Sequence, residues 1–157
     1  MIEDLFHGTS YPNAQEIENH GFRLDIAPFE SVENYLGDGI YFYHGELAHR
    51  NAEVRANRVG SNVGAAVIRA KAEGEILDGS DEDEAGSFLD AAMMFGKSPK
   101  AITQGLFEAT GANILVLPNE SYERVSSPEH SRFSVVLVLD PNCITGVEIF
   151  CRAKCLV

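Results

Sequence analysis

The apolar positions of this chain come in short runs, broken by glycine, proline and aspartate. Their period switches between that of a strand and that of a helix. Met1, Ile2, Leu5 and Phe6 crowd the start and predict a short buried strand that ends in His7-Gly8-Thr9-Ser10. A helix is expected over Pro12–Gly21, preceded by Ser10 or Tyr11, with Pro12 suited to the first turn and Gly21 to the C′ position. Ala14, Ile17 and Phe22 would face inward. The stretch 23–33 has no regular period, contains Pro28 and reads as a binding loop. Gly37-Asp38-Gly39 is a turn, and Ile40-Tyr41-Phe42-Tyr43 a strand by its aromatic content. Alternation puts Tyr41 and Tyr43 on one face, Ile40 and Phe42 on the other.

Further along, Glu46–Arg58 reads as a helix with Leu47, Ala48, Val54 and Ala56 as apolar positions. Ala48 and Ala52 give it a smooth face at i, i+4 spacing, and Gly60 ends it. Gly64–Ala72 and Glu75–Asp78 read as strands. The acidic run from Ser80 to Glu84 precedes the helically spaced Phe88, Leu89, Ala92, Met93 and Phe95, where it complements the helix macrodipole. A calcium loop would need an oxygen spacing that this run lacks. Ser98-Pro99 opens another helix, closed by Gly111. A strand over Ala112–Leu117, a polar loop over Pro118–Glu129, a strand over Phe133–Leu139 and a last strand over Ile144–Cys151 complete the pattern. Interleaved helices and short strands predict a single α+β domain over residues 1–157, built on a mixed sheet rather than a doubly wound parallel one.

Composition narrows the function classes. A net charge of −12 on 157 residues repels phosphate backbones and argues against general nucleic-acid affinity; Arg50, Arg55 and Arg58 form the one close basic cluster. No apolar run approaches a membrane span, and the start lacks a basic segment followed by an apolar core, so a cytoplasmic protein without membrane partners is expected. Cys143, Cys151 and Cys155 are odd in number and have no histidine at zinc-ligand spacing, which reads as reduced structural thiols and no metal. Neither phosphate-cradling glycine motif is present; Gly37-Asp38-Gly39 precedes its strand instead of following it.

The candidate chemistry sits in two places. A histidine held at a strand end, a glycine that admits close approach to its backbone, and the hydroxyls of Thr9 and Ser10 could grip a polar ligand. The same residues also fit a strand that turns into a helix capped by Ser10 or Asn13. Tyr41 or Tyr43 could stack on a flat ligand, or simply pack with its hydroxyl satisfied.

His7-Gly8-Thr9 on a first strand, a short helix ending in Gly21-Phe22, then Leu36-Gly37-Asp38-Gly39-Ile40-Tyr41-Phe42 and a helix containing Ala48 together resemble the ADP-ribosyltransferase fold. The resemblance covers residues 1 to about 60 and is to the diphtheria-toxin and poly(ADP-ribose) polymerase class, with its His-Tyr-Glu triad, closest to small bacterial members. It implies a split mixed β-sheet with short flanking helices, and NAD as a substrate handled without metal. His7 would bind a ribose hydroxyl and Gly8 the nicotinamide carboxamide through its backbone. Thr9 and Ser10 would lie along the adenosine side, Tyr41 would stack on the nicotinamide ring, and Ala48 would line the site. The third triad position departs from the family. Counting back from Asp140 gives Val135 beside Ser134, neither a carboxylate; Glu108, Glu129 and Glu148 are the nearby carboxylates, and Glu148 on the last strand fits best. The implied activity is mono-ADP-ribosylation of a macromolecular target, protein or nucleic acid, by a toxin or phage-defence effector, with an antitoxin or hydrolase as its antidote. Two alternatives stand beside it: an inactive module that binds NAD or ADP-ribose, and an enzyme like the RNA 2′-phosphotransferases.

Overall fold

The computed structural model describes residues 1–24, 36–43, 45–60, 63–79, 94, 96–121 and 132–152. The acidic run at 80–84, the apolar pattern from Phe88 to Met93 with Phe95, Glu129, Cys155 and most of the loop after Arg23 lie outside them. Among the described residues, seven strands of mixed direction and three helices make an α+β fold with a mixed sheet. The chain divides into two compact units. One comprises Met1–Arg23, Phe42–Glu73 and Pro141–Val157; the other comprises Leu24–Tyr41 and Gly74–Asp140.

In the first unit, β1 (Ile2–Ser10) pairs antiparallel with β3 (Ala65–Ala72), and β3 pairs antiparallel with β7 (Ile144–Arg152). Strand β1 is longer than its apolar residues predict. Asp4 adopts φ 57°, a left-handed conformation that a short polar side chain tolerates, and the register to β3 shifts between Ile2 and Leu5. This bulge absorbs the polar interruption. The ladder then runs unbroken through His7↔Ile68 and Gly8↔Val67 to Ser10↔Ala65. His7 is therefore inside the strand, not at its end, because the backbone of Gly8, Thr9 and Ser10 continues the pairing.

Helix α1 (Tyr11–His20) starts where β1 stops. Ser10 is its N-cap, with the side-chain oxygen accepting from the Asn13 N–H at 3.4 Å, and Pro12 sits in the first turn, where no backbone donor is needed. Gly21, at φ 81°, follows the last turn and donates its N–H to the Ile17 carbonyl. Ala14, Ile17 and Phe22 are buried, as their spacing predicts.

Helix α2 (Gly45–Val59) packs an alanine stripe, Ala48, Ala52 and Ala56, against Ala65, Val67 and Phe6. Val54, expected among its apolar positions, points to solvent. Small side chains on both elements let helix and strands approach closely, so dispersion contacts replace the area that larger residues would bury. Strand β3 is buried along most of its length, and its alanines serve the same purpose.

In the second unit, β4 (Ile76–Asp78) runs parallel to β5 (Ile114–Ser121), and β5 pairs antiparallel with β6 (Arg132–Val138). Its core holds Ile114, Leu115, Leu117, Val135, Leu137 and Val138. Strand β5 runs on through Pro118, where a loop is expected. The register shifts between Leu117 and Glu120, and such an irregularity accommodates a residue without an N–H. Helix α3 (Pro99–Thr110) has a Ser98 cap, Pro99 at its start and Gly111 at φ 70° after its end. Strand β2 (Ile40–Tyr43) straddles the two units and is buried at all four positions.

Candidate functional site

Strand β1 presents Phe6 and Gly8 toward α2, and alternation turns His7 and Thr9 to the opposite side. The imidazole of His7 is 9% exposed and walled by aromatic edges. The Phe22 ring stands perpendicular to it, with centroids 5.1 Å apart, and the Phe42 ring lies at 6.0 Å. Phe22 and Phe42 meet each other edge to face at 5.4 Å. Three rings, from β1, from the second residue past α1 and from β2, thus fix one another.

Arg55 brings the polar contact. It lies three residues beyond Ala52 on α2, and its Nη1 is 2.9 Å from His7 Nε2 and 2.7 Å from the carbonyl oxygen of Gly8, to which it donates. Among the described residues, β1 pairs with β2 at Phe6↔Tyr43, whereas its pairing with β3 continues to Ser10. Arg55 thus gives the Gly8 backbone carbonyl a side-chain donor from α2. One turn earlier on the same helix, Asn51 holds a buried amide nitrogen, Nδ2, with no hydrogen-bond partner.

Gly8 is the tightest point in the unit. A Cβ there would lie 1.8 Å from the Ala48 carbonyl oxygen and 2.6 Å from the Ala52 nitrogen. The close approach expected at this glycine is made by the backbone of α2. Ala48, fully buried, belongs to this packing. Thr9 and Ser10 are buried with their hydroxyls engaged locally: Asn13 Nδ2 donates to Thr9 Oγ1 at 2.8 Å, and Ser10 caps α1. Of the two caps that the sequence left open, Ser10 and Asn13, Ser10 is the one that fills the role.

Tyr41 lies in the second unit and is 2% exposed. Its hydroxyl accepts from the Leu36 N–H at 3.0 Å and donates to the Gly37 carbonyl at 2.5 Å, closing the turn that Gly37 and Gly39 build. Ser134 is exposed on β6 and Val135 is buried in the core of that unit, opposite Leu117. Glu148, on β7, is half-exposed and paired with Arg69, whose Nε donates to it at 2.7 Å. The two share a register position across β3 and β7, and Arg69 also lies over the Phe150 ring. Glu108 is exposed on α3. No group of three or more His, Cys, Asp or Glu side chains with metal-holding geometry occurs among the described residues, and none of their helices is long and apolar enough to cross a membrane.

Sequence reasoning singled out His7 and Gly8 but missed Arg55, Phe22 and Phe42 as their partners. A signal for Arg55 was present: it falls at i+7 from Ala48 and i+3 from Ala52, so it extends the face that packs on the strands. No family model matches this sequence, and no curated protein matches it.

Proposed function

We propose that the chain binds NAD at the His7–Gly8 strand and transfers its ADP-ribose to a macromolecular target. The observation that supports this most is the Gly8 carbonyl accepting from a planar N–H group beside a buried imidazole. The Gly8 carbonyl oxygen has a second lone pair, which could accept from a carboxamide NH2 while Arg55 keeps the first, and His7 lies within reach of the same guanidinium. Tyr41 enters this reading through its motif, Gly39-Ile40-Tyr41-Phe42, and its similarity to the ADP-ribosyltransferases.

In the reaction, the bond from ribose C1′ to the nicotinamide nitrogen breaks, and its electron pair leaves with nicotinamide, which becomes neutral. A nucleophilic oxygen or nitrogen of the target forms the new bond to C1′ and loses its proton to solvent. Positive charge develops on the sugar, and fixed dipoles around it lower the barrier. No step requires a metal.

The test is nicotinamide release from NAD by the purified chain with cell extract as acceptor. His7→Ala abolishes release while the melting temperature stays within a few degrees of wild type. Release that survives in His7→Ala removes the enzyme reading. Tyr41→Ala in the same assay then reports whether the phenol ring takes part: release that falls as in His7→Ala supports the triad reading, and unchanged release argues against it.

The binding-module reading has an observation of its own. Glu148, the carboxylate that best fits the third triad position, is held in a surface ion pair by Arg69. A melting shift with NAD, with no nicotinamide released under any condition, identifies that module. Removal of a 2′-phosphate from RNA identifies the phosphotransferase alternative, against which the net charge of −12 argues.

A further inference from the structure

We propose that Arg55 is the positioning residue of His7: it sets the imidazole tautomer and holds the ring against the Gly8 carbonyl. A guanidinium has donors and no acceptor. Its contact with His7 Nε2, at 2.9 Å, therefore requires a lone pair on that nitrogen, which places the ring proton on Nδ1. Nη1 carries two hydrogens. One geometry spends the first on Nε2 and the second on the Gly8 oxygen, so a single nitrogen ties a side chain to the backbone of the residue after it.

The tie has reach. Arg55 is 48 residues from His7 in sequence and comes from α2, whose alanine face is fixed against β1 by the Gly8 contact. A guanidinium is rigid and planar, so bonding one of its nitrogens to both the ring and the Gly8 carbonyl fixes the two acceptors relative to each other. The Phe22 and Phe42 edges restrict the ring's remaining rotation. An imidazole so held meets a ligand in one orientation and one protonation pattern, which a freely rotating ring would have to select at an entropic cost.

The functional arm of this inference rests on the reading of His7 as a ligand-binding residue; the tautomer arm does not. Long-range 1H–15N correlation spectra of the uniformly labelled chain, with His7 assigned by comparison with His7→Asn, report which ring nitrogen carries the proton. The wild type shows the Nδ1–H pattern. Arg55→Met, which keeps the apolar stem and removes the donors, shifts His7 toward a mixture of tautomers, and Arg55→Lys restores part of the Nδ1–H population. An Nε2–H pattern in the wild type overturns the proposal, and that measurement needs no variant to fold. With NAD, Arg55→Met lowers the turnover number about 10- to 100-fold with little change in KM, the scale on which orienting partners of a working histidine act. Tighter NAD binding in Arg55→Met marks Arg55 as an occupant of the site instead and also overturns the proposal. No turnover in the wild type, with the Nδ1–H pattern intact, falsifies the enzyme reading alone.

Discussion

His7 and Tyr41 come from motifs of the same kind, a ring on a short strand beside glycine, yet their surroundings are organised differently. Among the described residues, the Tyr41 hydroxyl bonds to backbone groups four and five residues away and closes a turn. His7 takes its polar partner from a helix 48 residues on. A local bond forms whenever the turn forms and says little about a site. A long-range bond between a buried imidazole and a cation has to be held by the packing of two elements, at an entropic cost the fold must offset. The difference teaches where to look for chemistry: the ring held from afar is the better candidate for a working group, and the ring held locally first serves the turn.

The comparison can be broken most forcefully at Gly8. Gly8→Ala puts a methyl group against the backbone of Ala48 and Ala52, which cannot swing aside as a side chain can. The expected loss is about 3 kcal/mol or more, read as a lower urea midpoint. An unchanged midpoint would mean that α2 does not lie on β1 as described.

Tyr41→Phe is the next largest change. It leaves the buried Leu36 N–H and Gly37 carbonyl without their shared partner and costs about 2 kcal/mol by denaturant titration. The ring remains, so nicotinamide release should fall far less than in His7→Ala. A loss of release as deep as that of His7→Ala, with stability untouched, would reverse the roles assigned above.

The smallest effect is expected at Glu148→Gln. Its pair with Arg69 is about half-exposed on both sides, so stability changes by about 0.5 kcal/mol or less, an effect that shrinks further in high salt. Nicotinamide release that collapses in this variant while its melting curve stays put would give Glu148 the triad role that its ion pair obscures.

Much of the fold is written locally. Ser10 and Ser98, each followed by proline near the helix start and by glycine after the helix end, delimit α1 and α3 through cap geometry that depends on a few adjacent residues. The alanines at 48 and 52 announce a face of α2 meant for close packing, and the structure uses it so. Where local pattern and pairing compete, pairing wins. Glu3 and Asp4 break the apolar period of β1, but a bulge carries the strand past them. Pro118 looks like the start of a loop, but β5 continues through it beside β6. The contact between Arg55 and His7 was legible only in part: the alanine spacing puts Arg55 on the packing face of α2, but not beside His7. It depends on which turn of α2 crosses β1, a relation fixed by the depth at which Gly8 lets the helix settle and encoded by no single stretch of sequence.

The kink at Asp4 has a consequence for everything downstream of it. Side chains on a strand swap sides with every residue, so the count between the anchored end and position 7 decides which of two neighbours looks toward the helix. If the strand ran on from Ile2↔Ala72 without the kink, Phe6 would fall opposite Ile68 and His7 opposite Val67, which exchanges imidazole and phenyl: Phe6 would turn to the aromatic niche and His7 to the alanine floor. A single left-handed aspartate thus acts as the frame-setting element of the N-terminal strand.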